Sequence, residues 1–341
     1  MASMNGVVDL SGHAEEIVRA ASWAPSHHNA QPWLFRVGAT DVEVWADFRR
    51  RMPVADPDDR QLFIGVGAAV YGVGLALGHL GLRTVVRLGR DPARPELAAV
   101  VAAVGRQEVD PDRERLYAQI DRRRSVRTSF TDEPLPVPLQ VMLAEQARHE
   151  GARLRWVVRE RPLRSLAAVI MAAELAEQSR SDFRVELERW LGRGATADGA
   201  GIPLVNVGTA LATGPLGEFP LRDFDGDRGA LTLPVAPAEA HPRIAVLCTL
   251  DDRRYDWLRA GQALHRMLLS ASAAGIAASF LNQPLEIPEL RAQVRDESES
   301  DDYPQVILRL GLPAEPLPPP TPRRPVRDVL LPPAPGTGRT G

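Results

Sequence analysis

Two short polar segments carry the residue types that could hold a charged ligand. The first, Pro25-Ser26-His27-His28-Asn29, combines a proline that restrains a turn with hydroxyl, imidazole and amide groups that form hydrogen bonds. The second is Arg122-Arg123-Arg124-Ser125-Val126-Arg127. Arginine presents two parallel N–H groups to one edge of a phosphate, so this spacing could grip a dianion. Taken alone, the second segment is better explained as a solvated basic turn, and the first could be an ordinary turn before a strand.

Both segments resemble motifs of the flavin-dependent nitroreductase family. Ala24 to Trp33 has the pattern A-P-S-x-x-N-x-Q-P-W, which is similar to the family's loop that closes over one end of bound FMN. The second segment contains the family's R-x-S-x-R pattern, which grips the FMN phosphate. The resemblance therefore implies a flavin site formed by Pro25, Ser26, His27, Asn29, Arg123, Ser125 and Arg127.

Two further segments take their expected roles from the same resemblance. Phe280 to Leu285 would pass along the edge of the isoalloxazine ring, which places Asn282 and Gln283 beside the flavin. Thr321-Pro322-Arg323-Arg324-Pro325-Val326 follows a proline-rich arm and looks like the family's terminal basic segment. Arg323 and Arg324 would then return to the phosphate. A plain loop and an unanchored tail are the competing interpretations.

The composition narrows the chemistry further. All 41 basic residues are arginine, which excludes a Schiff-base lysine and a P-loop lysine. The chain has one cysteine, Cys248, in an apolar run, so an internal disulfide is excluded. No cysteine or carboxylate cluster joins His27 and His28, so we expect no metal site. With a net charge of −3 and mixed signs along the chain, we expect no nucleic-acid or membrane partner.

The elements that must position these segments occur twice. Seven residues match seven others at a constant offset of 194 positions: Arg60, Phe63, Gly67, Ala69, Leu75, Gly81 and Leu82 match Arg254, Trp257, Gly261, Ala263, Leu269, Gly275 and Ile276. Each copy reads as a long apolar helix that ends at a glycine and is followed by a strand. A repeat of this length indicates a duplicated fold.

A duplication also explains why the two motifs stand in reversed order. Nitroreductases are typically homodimers that hold each FMN between subunits, and this chain is similar to the internally duplicated Acg-type branch. We therefore expect an α+β nitroreductase fold with two tandem half-copies forming a pseudo-dimer, residues 12–110 and 115–330. The first half lacks R-x-S-x-R, and the second lacks P-S-x-x-N at residues 146–156. One complete site with one non-covalent FMN, one decayed site and a monomeric chain follow, with higher assembly left open.

Three other stretches need an interpretation. The uncharged run from Leu62 to Leu82 is long enough to span a bilayer, but a helix buried between two half-domains explains it better. Residues 192–237 are rich in glycine and proline and favour a lid or a disordered loop. Residues 331–341 are expected to be a disordered tail. Because no leader-like segment opens the sequence, we expect a cytoplasmic protein.

The combined pattern predicts an FMN-dependent oxidoreductase. Hydride would come from NAD(P)H or another donor and pass to a nitroaromatic, quinone or enone. No catalytic side chain is identified, because the flavin carries the redox chemistry. One alternative is a protein that binds or sequesters FMN without turnover. Family members often place a lysine near the flavin, and this chain has no lysine. Another is an NADP-dependent Rossmann enzyme, suggested by the glycines of Phe63-Ile64-Gly65-Val66-Gly67 and Gly72-Val73-Gly74.

Overall fold

The computed structural model describes residues 9–89, 93–192, 198–208, 210–211, 235–236, 239, 241–297 and 301–333. Most of the stretch predicted to be a lid, and the predicted tail beyond residue 333, lie outside these residues. Two long helices, α2 (Arg60–His79) and α7 (Arg254–Ala273), lie at the centre of the molecule and are described below with the sheets whose strands they connect. The other helices are α1 (Ala14–Ala21), α3 (Pro111–Tyr117), α4 (Val137–His149), α5 (Glu160–Ser179), α6 (Ser181–Glu188), α8 (Pro288–Glu297) and α9 (Val326–Val329).

The first half is built on a four-stranded antiparallel sheet. Its strands are β1 (Trp33–Val37), β2 (Asp41–Ala46), β3 (Leu82–Leu88) and β4 (Leu97–Arg106), in the order β1-β2-β4-β3. In β1 and β2, buried residues alternate with partly exposed ones, so Trp33, Phe35, Val42 and Val44 share the buried face. This face packs on helix α2 (Arg60–His79), which connects β2 to β3.

The second half repeats this path. Strands β5 (Arg153–Val157), β8 (Ile244–Thr249), β9 (Ala277–Phe280) and β10 (Tyr303–Gly311) form an antiparallel sheet in the order β5-β8-β10-β9. Helix α7 (Arg254–Ala273) connects β8 to β9 as α2 connects β2 to β3. Two-residue strands β6 (Ala210–Leu211) and β7 (Val235–Ala236) pair separately. The predicted α+β architecture with two similar halves is confirmed.

Helices α2 and α7 pack against each other at the centre of the molecule, and their bounds keep the offset of 194. A Cβ atom added to Gly67 would overlap the carbonyl of Leu258, and one added to Gly261 would overlap the carbonyl of Ile64. These two contacts are equivalent under the same offset. The seam therefore has the reciprocal contacts of a two-fold interface, here within one chain.

The apolar run is a core helix. Within the described residues, α2 is the one helix long and apolar enough to cross a bilayer, and 94% of that apolar window is buried. Its glycines also contradict the Rossmann alternative. Gly65, Gly67, Gly72 and Gly74 lie inside a continuous helix that begins at Arg60, whereas a dinucleotide-binding loop requires a strand before the glycine turn.

The C-terminal arm crosses from the second half back to the first. Asn206 Nδ2 donates to the carbonyl oxygen of Pro319 at 2.8 Å, and Leu331 N donates to the carbonyl of Phe35 at 2.6 Å. The interpretation of this arm as an unanchored tail is therefore wrong. Residues 331–333, predicted to belong to the disordered tail, are described and partly held by this contact.

Candidate functional site

The loop that carries the P-S-x-x-N pattern has an unusual backbone. His28, Asn29 and Gln31 have φ values of 45°, 55° and 53°, in the left-handed region that non-glycine residues seldom occupy. Gln31 N donates to Ser26 Oγ at 3.0 Å, and Asn29 Nδ2 donates to the carbonyls of Gly201 and Pro322 at 2.9 and 3.1 Å. Such strain persists only where the surroundings hold it, which is common at ligand sites.

Two arginines meet beside this loop. Arg123 Nη2 and Arg323 Nη2 donate to the same carbonyl oxygen, that of Trp23, at 3.1 and 3.4 Å. Arg323 also lies over the Trp23 ring, 4.7 Å from its centroid, and Arg323 Nη1 donates to Asn29 Oδ1 at 3.2 Å. The loop, the R-x-S-x-R segment and the C-terminal arm therefore converge at one point.

The electrostatics of this point favour an anion. Burial, and then Arg124, lower the pKa of Arg123 to about 10. Burial, and then Arg123 and Arg124, lower the pKa of Arg323 to about 9. Within the described residues, neither guanidinium forms an ion pair with a carboxylate. Arginine stays charged at neutral pH, so the lowered values express the free-energy cost of holding these cations together out of water.

Ser125 and Arg127 are placed by the second sheet. Val126 N donates to the carbonyl of Ala278 at 2.9 Å, and Ser125 forms a parallel bridge with Ala278, so the segment runs beside β9. Arg127 Nη1 donates to the carbonyl of Asn206 at 2.9 Å. The side chains on either side of Val126 consequently face the same cavity as Arg123.

A second group of polar residues follows β9. Asn282 Oδ1 accepts from Ile307 N at 2.9 Å, and its amide nitrogen donates to Gln61 Oε1 at 3.3 Å. Gln283 Nε2 donates to Glu174 Oε2 at 3.1 Å. These contacts fix the backbone turn that borders the cavity, and both residues line the cavity.

Ten of the eleven predicted site residues line one cavity, and Arg324 is the exception. Its guanidinium donates to the carbonyls of Gln31 and Asp328 at 3.2 and 3.0 Å and lies 3.5 Å from Asp47 Oδ2. Arg324 therefore holds the strained loop on the side that faces away from the cavity. Residues that were not predicted to belong to the site also line the cavity: Trp23, Gln61, Ile64, Gly65, Arg124, Ile202, Asn206, Leu264, Ser279, Glu286, Val306 and Thr321.

Only some of the missed residues had a sequence signal. Arg124 stands within the arginine run, and Gly65 is one of the glycines noted in the apolar helix. A Cβ atom at Gly65 would lie 3.2 Å from Ser26 Cβ, so this glycine leaves room for the loop. Ile202 and Asn206 come from a stretch without regular periodicity and reach the cavity only through tertiary contacts.

The equivalent position in the other half is filled. The counterpart of Gly65 at the offset of 194 is Arg259, and the counterpart of Gln61 is Tyr255. Arg259 Nε donates to the carbonyl of Glu150 at 2.8 Å, and Nη1 donates to the Tyr255 hydroxyl at 3.1 Å. The space that a glycine opens in the first half is thus taken by a large side chain in the second.

The sequence is similar to curated proteins over nearly its whole length. The Mycobacterium tuberculosis protein named "Putative NAD(P)H nitroreductase Rv3131" is 33% identical over 335 residues, which cover 96% of this chain and 94% of the relative. The chain therefore belongs to the nitroreductase family. A second relative from that organism, with the same descriptive name and the suffix acg, is 28% identical over 92% of this chain and 93% of its own length. The predicted membership of the Acg-type branch is confirmed.

No family model matches the sequence. The crystal structure of a nitroreductase with bound FMN from Desulfitobacterium hafniense is 14% identical and covers 61% of this chain and 94% of its own, with a TM-score of 0.39. That likeness is too distant to carry a conclusion.

Proposed function

We propose that the protein binds one FMN non-covalently in this cavity and transfers hydride from NAD(P)H to an electron-poor acceptor of the nitroaromatic, quinone or enone type. The observation that carries the proposal is the pair Arg123 and Arg323. Both guanidiniums are buried, share one carbonyl acceptor and have no carboxylate in an ion pair within the described part of the chain. A phosphate dianion supplies the missing charge.

The lining also has groups that suit the polar edges and the flat faces of a flavin. Among the described residues, Arg123 Nε, Arg323 Nε, Gln61 Nε2 and Ser279 Oγ are buried without a hydrogen-bond partner in the protein. Buried polar atoms are nearly always satisfied, so their position at one cavity indicates a ligand rich in acceptors. Apolar side chains of Ile64, Leu264 and Phe280 supply surfaces against which a planar ring can pack.

The residues then have distinct roles. Arg123, Arg127 and Arg323 would hold the phosphate, and their charge would also favour an anionic ligand throughout the cavity, in place of the lysine that many family members use. The strained loop with Ser26 and Asn29 would close over the ligand, and the Asn282-Gln283 turn would border its ring. When bound, FMN supplies the two-electron chemistry, and the protein orients it and excludes water.

The visible spectrum of the purified protein, recorded before and after anaerobic addition of NADPH, tests the proposal. We expect flavin absorption that bleaches with NADPH and returns on addition of menadione or nitrofurazone. Flavin absorption that persists with both NADH and NADPH would indicate a protein that sequesters FMN. Absence of flavin, together with no uptake of added FMN, would overturn the proposal.

A further inference from the structure

A second cavity adjoins the flavin-site cavity, and one carboxylate borders both. This second cavity has a volume of about 260 Å³ and lies between the start of α2 and the segment around α8. Glu286, at the end of the short helix Gln283–Glu286, lines both cavities. Its side chain is only 1% exposed, so it separates two spaces inside the protein.

The second cavity reaches solvent and can hold water. Pro57, Asp58 and Ala292 line it and are exposed at the surface. Its volume of about 260 Å³ compares with roughly 15 Å³ needed for one water molecule. Polar and charged side chains on its walls offer partners to such water.

The charged groups around Glu286 are held by contacts of their own. The Asp56 carboxylate accepts from Gln61 N and Leu62 N at 3.0 and 2.9 Å. Arg60 donates to the carbonyls of Gln305 and Leu285 at 2.8 and 2.9 Å, and Arg291 is paired with Asp252 at 2.7 Å. These contacts fix a charged wall around the carboxylate that lies between the cavities.

His27 faces Glu286 from the flavin-site side. Its Nε2 atom lies 3.3 Å from Glu286 Oε1, and the imidazole is 11% exposed. The alignment is not that of a hydrogen bond, and within the described residues neither ring nitrogen has a hydrogen-bond partner in the protein. An imidazole can accept a proton at one nitrogen while it donates one from the other. Glu286 and His27 are therefore two adjacent groups that can each carry a proton.

We propose that the second cavity is a water-filled inlet and that Glu286 and His27 pass protons from it to the acceptor. This inference rests on the proposed function. A quinone-type acceptor that receives a hydride also needs one proton at its carbonyl oxygen. The His27 Nδ1–H bond breaks as the acceptor O–H bond forms, Nε2 takes the proton of the Glu286 carboxyl group, and the carboxylate regains a proton from inlet water. Electrons and protons balance, since the flavin supplies the hydride.

The first experiment compares Glu286→Gln with Glu289→Gln, the same change at an exposed residue three positions along the chain. Each FMN-loaded protein is reduced with dithionite and mixed anaerobically with menadione. We expect Glu286→Gln to slow flavin reoxidation by about tenfold or more and to change its solvent isotope effect. In Glu286→Ala, acetate should restore part of the rate. Glu289→Gln should behave as wild type.

A second readout does not depend on turnover. In the protein without FMN, the ¹⁵N chemical shift of His27 Nε2 reports protonation and hydrogen bonding at that nitrogen. We expect it to change in Glu286→Gln and to stay unchanged in Glu289→Gln. An unchanged shift in Glu286→Gln would show that the two groups are not coupled and would overturn the relay.

Blocking the inlet tests the cavity without altering either relay residue. Ala292→Phe places a ring in the second cavity, whereas Gln293→Phe places one on the exposed surface of the same helix. Only Ala292→Phe should slow reoxidation by menadione. If Glu286→Gln does not retain FMN, the comparison of Ala292→Phe with Gln293→Phe tests the relay on its own. Wild-type reoxidation in both Glu286→Gln and Ala292→Phe would overturn the relay alone. A wild-type protein that takes up no FMN, or whose reduced flavin menadione does not reoxidise, would instead overturn the proposed function.

Discussion

Arg123 and Arg323 work against the stability of the ligand-free protein. Each guanidinium is buried, Arg123 lowers the pKa of Arg323, and the hydrogen-bond acceptors that they contact are uncharged oxygen atoms. A buried cation without an ionic partner destabilises a fold, and the penalty is relieved when an anion binds. Ligand affinity and apoprotein stability should therefore respond in opposite directions to substitution here.

Removing one phosphate-binding arginine should weaken FMN binding selectively. Arg123→Ala and Arg127→Ala each lose a charge-assisted hydrogen bond worth about 1.5–3 kcal/mol, which is roughly a ten- to hundred-fold loss in affinity. Fluorescence titration with FMN and with riboflavin measures the two affinities. Riboflavin, which has no phosphate, should be affected far less. Arg122→Ala, at an exposed neighbour, is the control. Equal losses for both ligands would assign the cluster a structural role.

Replacing Arg323 by methionine should stabilise the apoprotein and weaken FMN binding. Methionine keeps apolar contacts with the Trp23 ring but removes a charge that has no ion-pair partner in the described structure. Replacing buried charges by apolar groups is often stabilising by about 1–4 kcal/mol. Thermal unfolding without FMN and titration with FMN give the two quantities. A less stable apoprotein would show that the carbonyl acceptors already compensate the charge.

At the scale of elements, the crossing of α2 and α7 depends on two glycines. Gly67→Ala forces a Cβ atom into the Leu258 carbonyl, and overpacking of this kind should destabilise the protein by about 1–3 kcal/mol. Gly74→Ala, in the same helix, meets no atom closer than 4.0 Å and should be neutral or stabilising by up to about 1 kcal/mol. Urea unfolding of the two variants checks the contrast. Similar effects of both substitutions would contradict the close approach of the helices.

The same seam contains a histidine that should make stability depend on pH. Burial, and then Arg123, lower the pKa of His265 to about 3, and its Nδ1 donates to the carbonyl of Ala68 at 2.7 Å. In the unfolded chain His265 binds a proton at the ordinary histidine pKa near 6.5, whereas in the folded protein it stays neutral until the pH falls to about 3. The contribution of His265 to stability should therefore fall as the pH falls, by up to about 1.4 kcal/mol per pH unit between about pH 6 and pH 4.

His265→Gln keeps a donor for the Ala68 carbonyl but does not titrate, so urea unfolding should show a shallower loss of stability between about pH 6 and pH 4 than in wild type. Exposed His149→Gln should retain the wild-type decline. If both variants follow the wild-type curve, His265 accepts a proton in the folded state.

The elements were more predictable from sequence than the site. The helix bounds, and the positive φ values of Gly81 and Gly275 after the two central helices, follow from local patterns that the repeat doubles. Arg323 and Arg324 are adjacent and chemically identical, yet one faces the cavity and the other braces the loop. The path of the C-terminal arm determines which of the two arginines faces the cavity, and no local sequence pattern predicts that path. The contact of His27 with Glu286 joins residues 259 positions apart and was equally beyond a single sequence.

At the scale of the whole molecule, the two halves have the same strand order but unequal sites. We infer that an ancestral homodimer became one chain and kept one of its two ligand sites. The first-half loop, the R-x-S-x-R segment of the second half and the C-terminal arm all meet at the retained cavity. In the other half, Arg259 and Tyr255 occupy the positions of Gly65 and Gln61. The predicted domain boundaries at 12–110 and 115–330 remain a prediction.

This asymmetry predicts one FMN per chain. Flavin extracted from saturated protein and divided by the chain concentration should give a ratio near one, because Arg259, which donates to the carbonyl of Glu150, stands where Gly65 leaves room in the first half. Light scattering on the same sample gives the mass, so that a dimer with one site per chain is recognised as such. Arg259→Gly, which restores the small residue, should still bind one FMN, since no P-S-x-x-N loop or R-x-S-x-R segment faces that space. A ratio near two in the wild-type protein would show that the second half retains a working site and that the contacts of Arg259 do not close it.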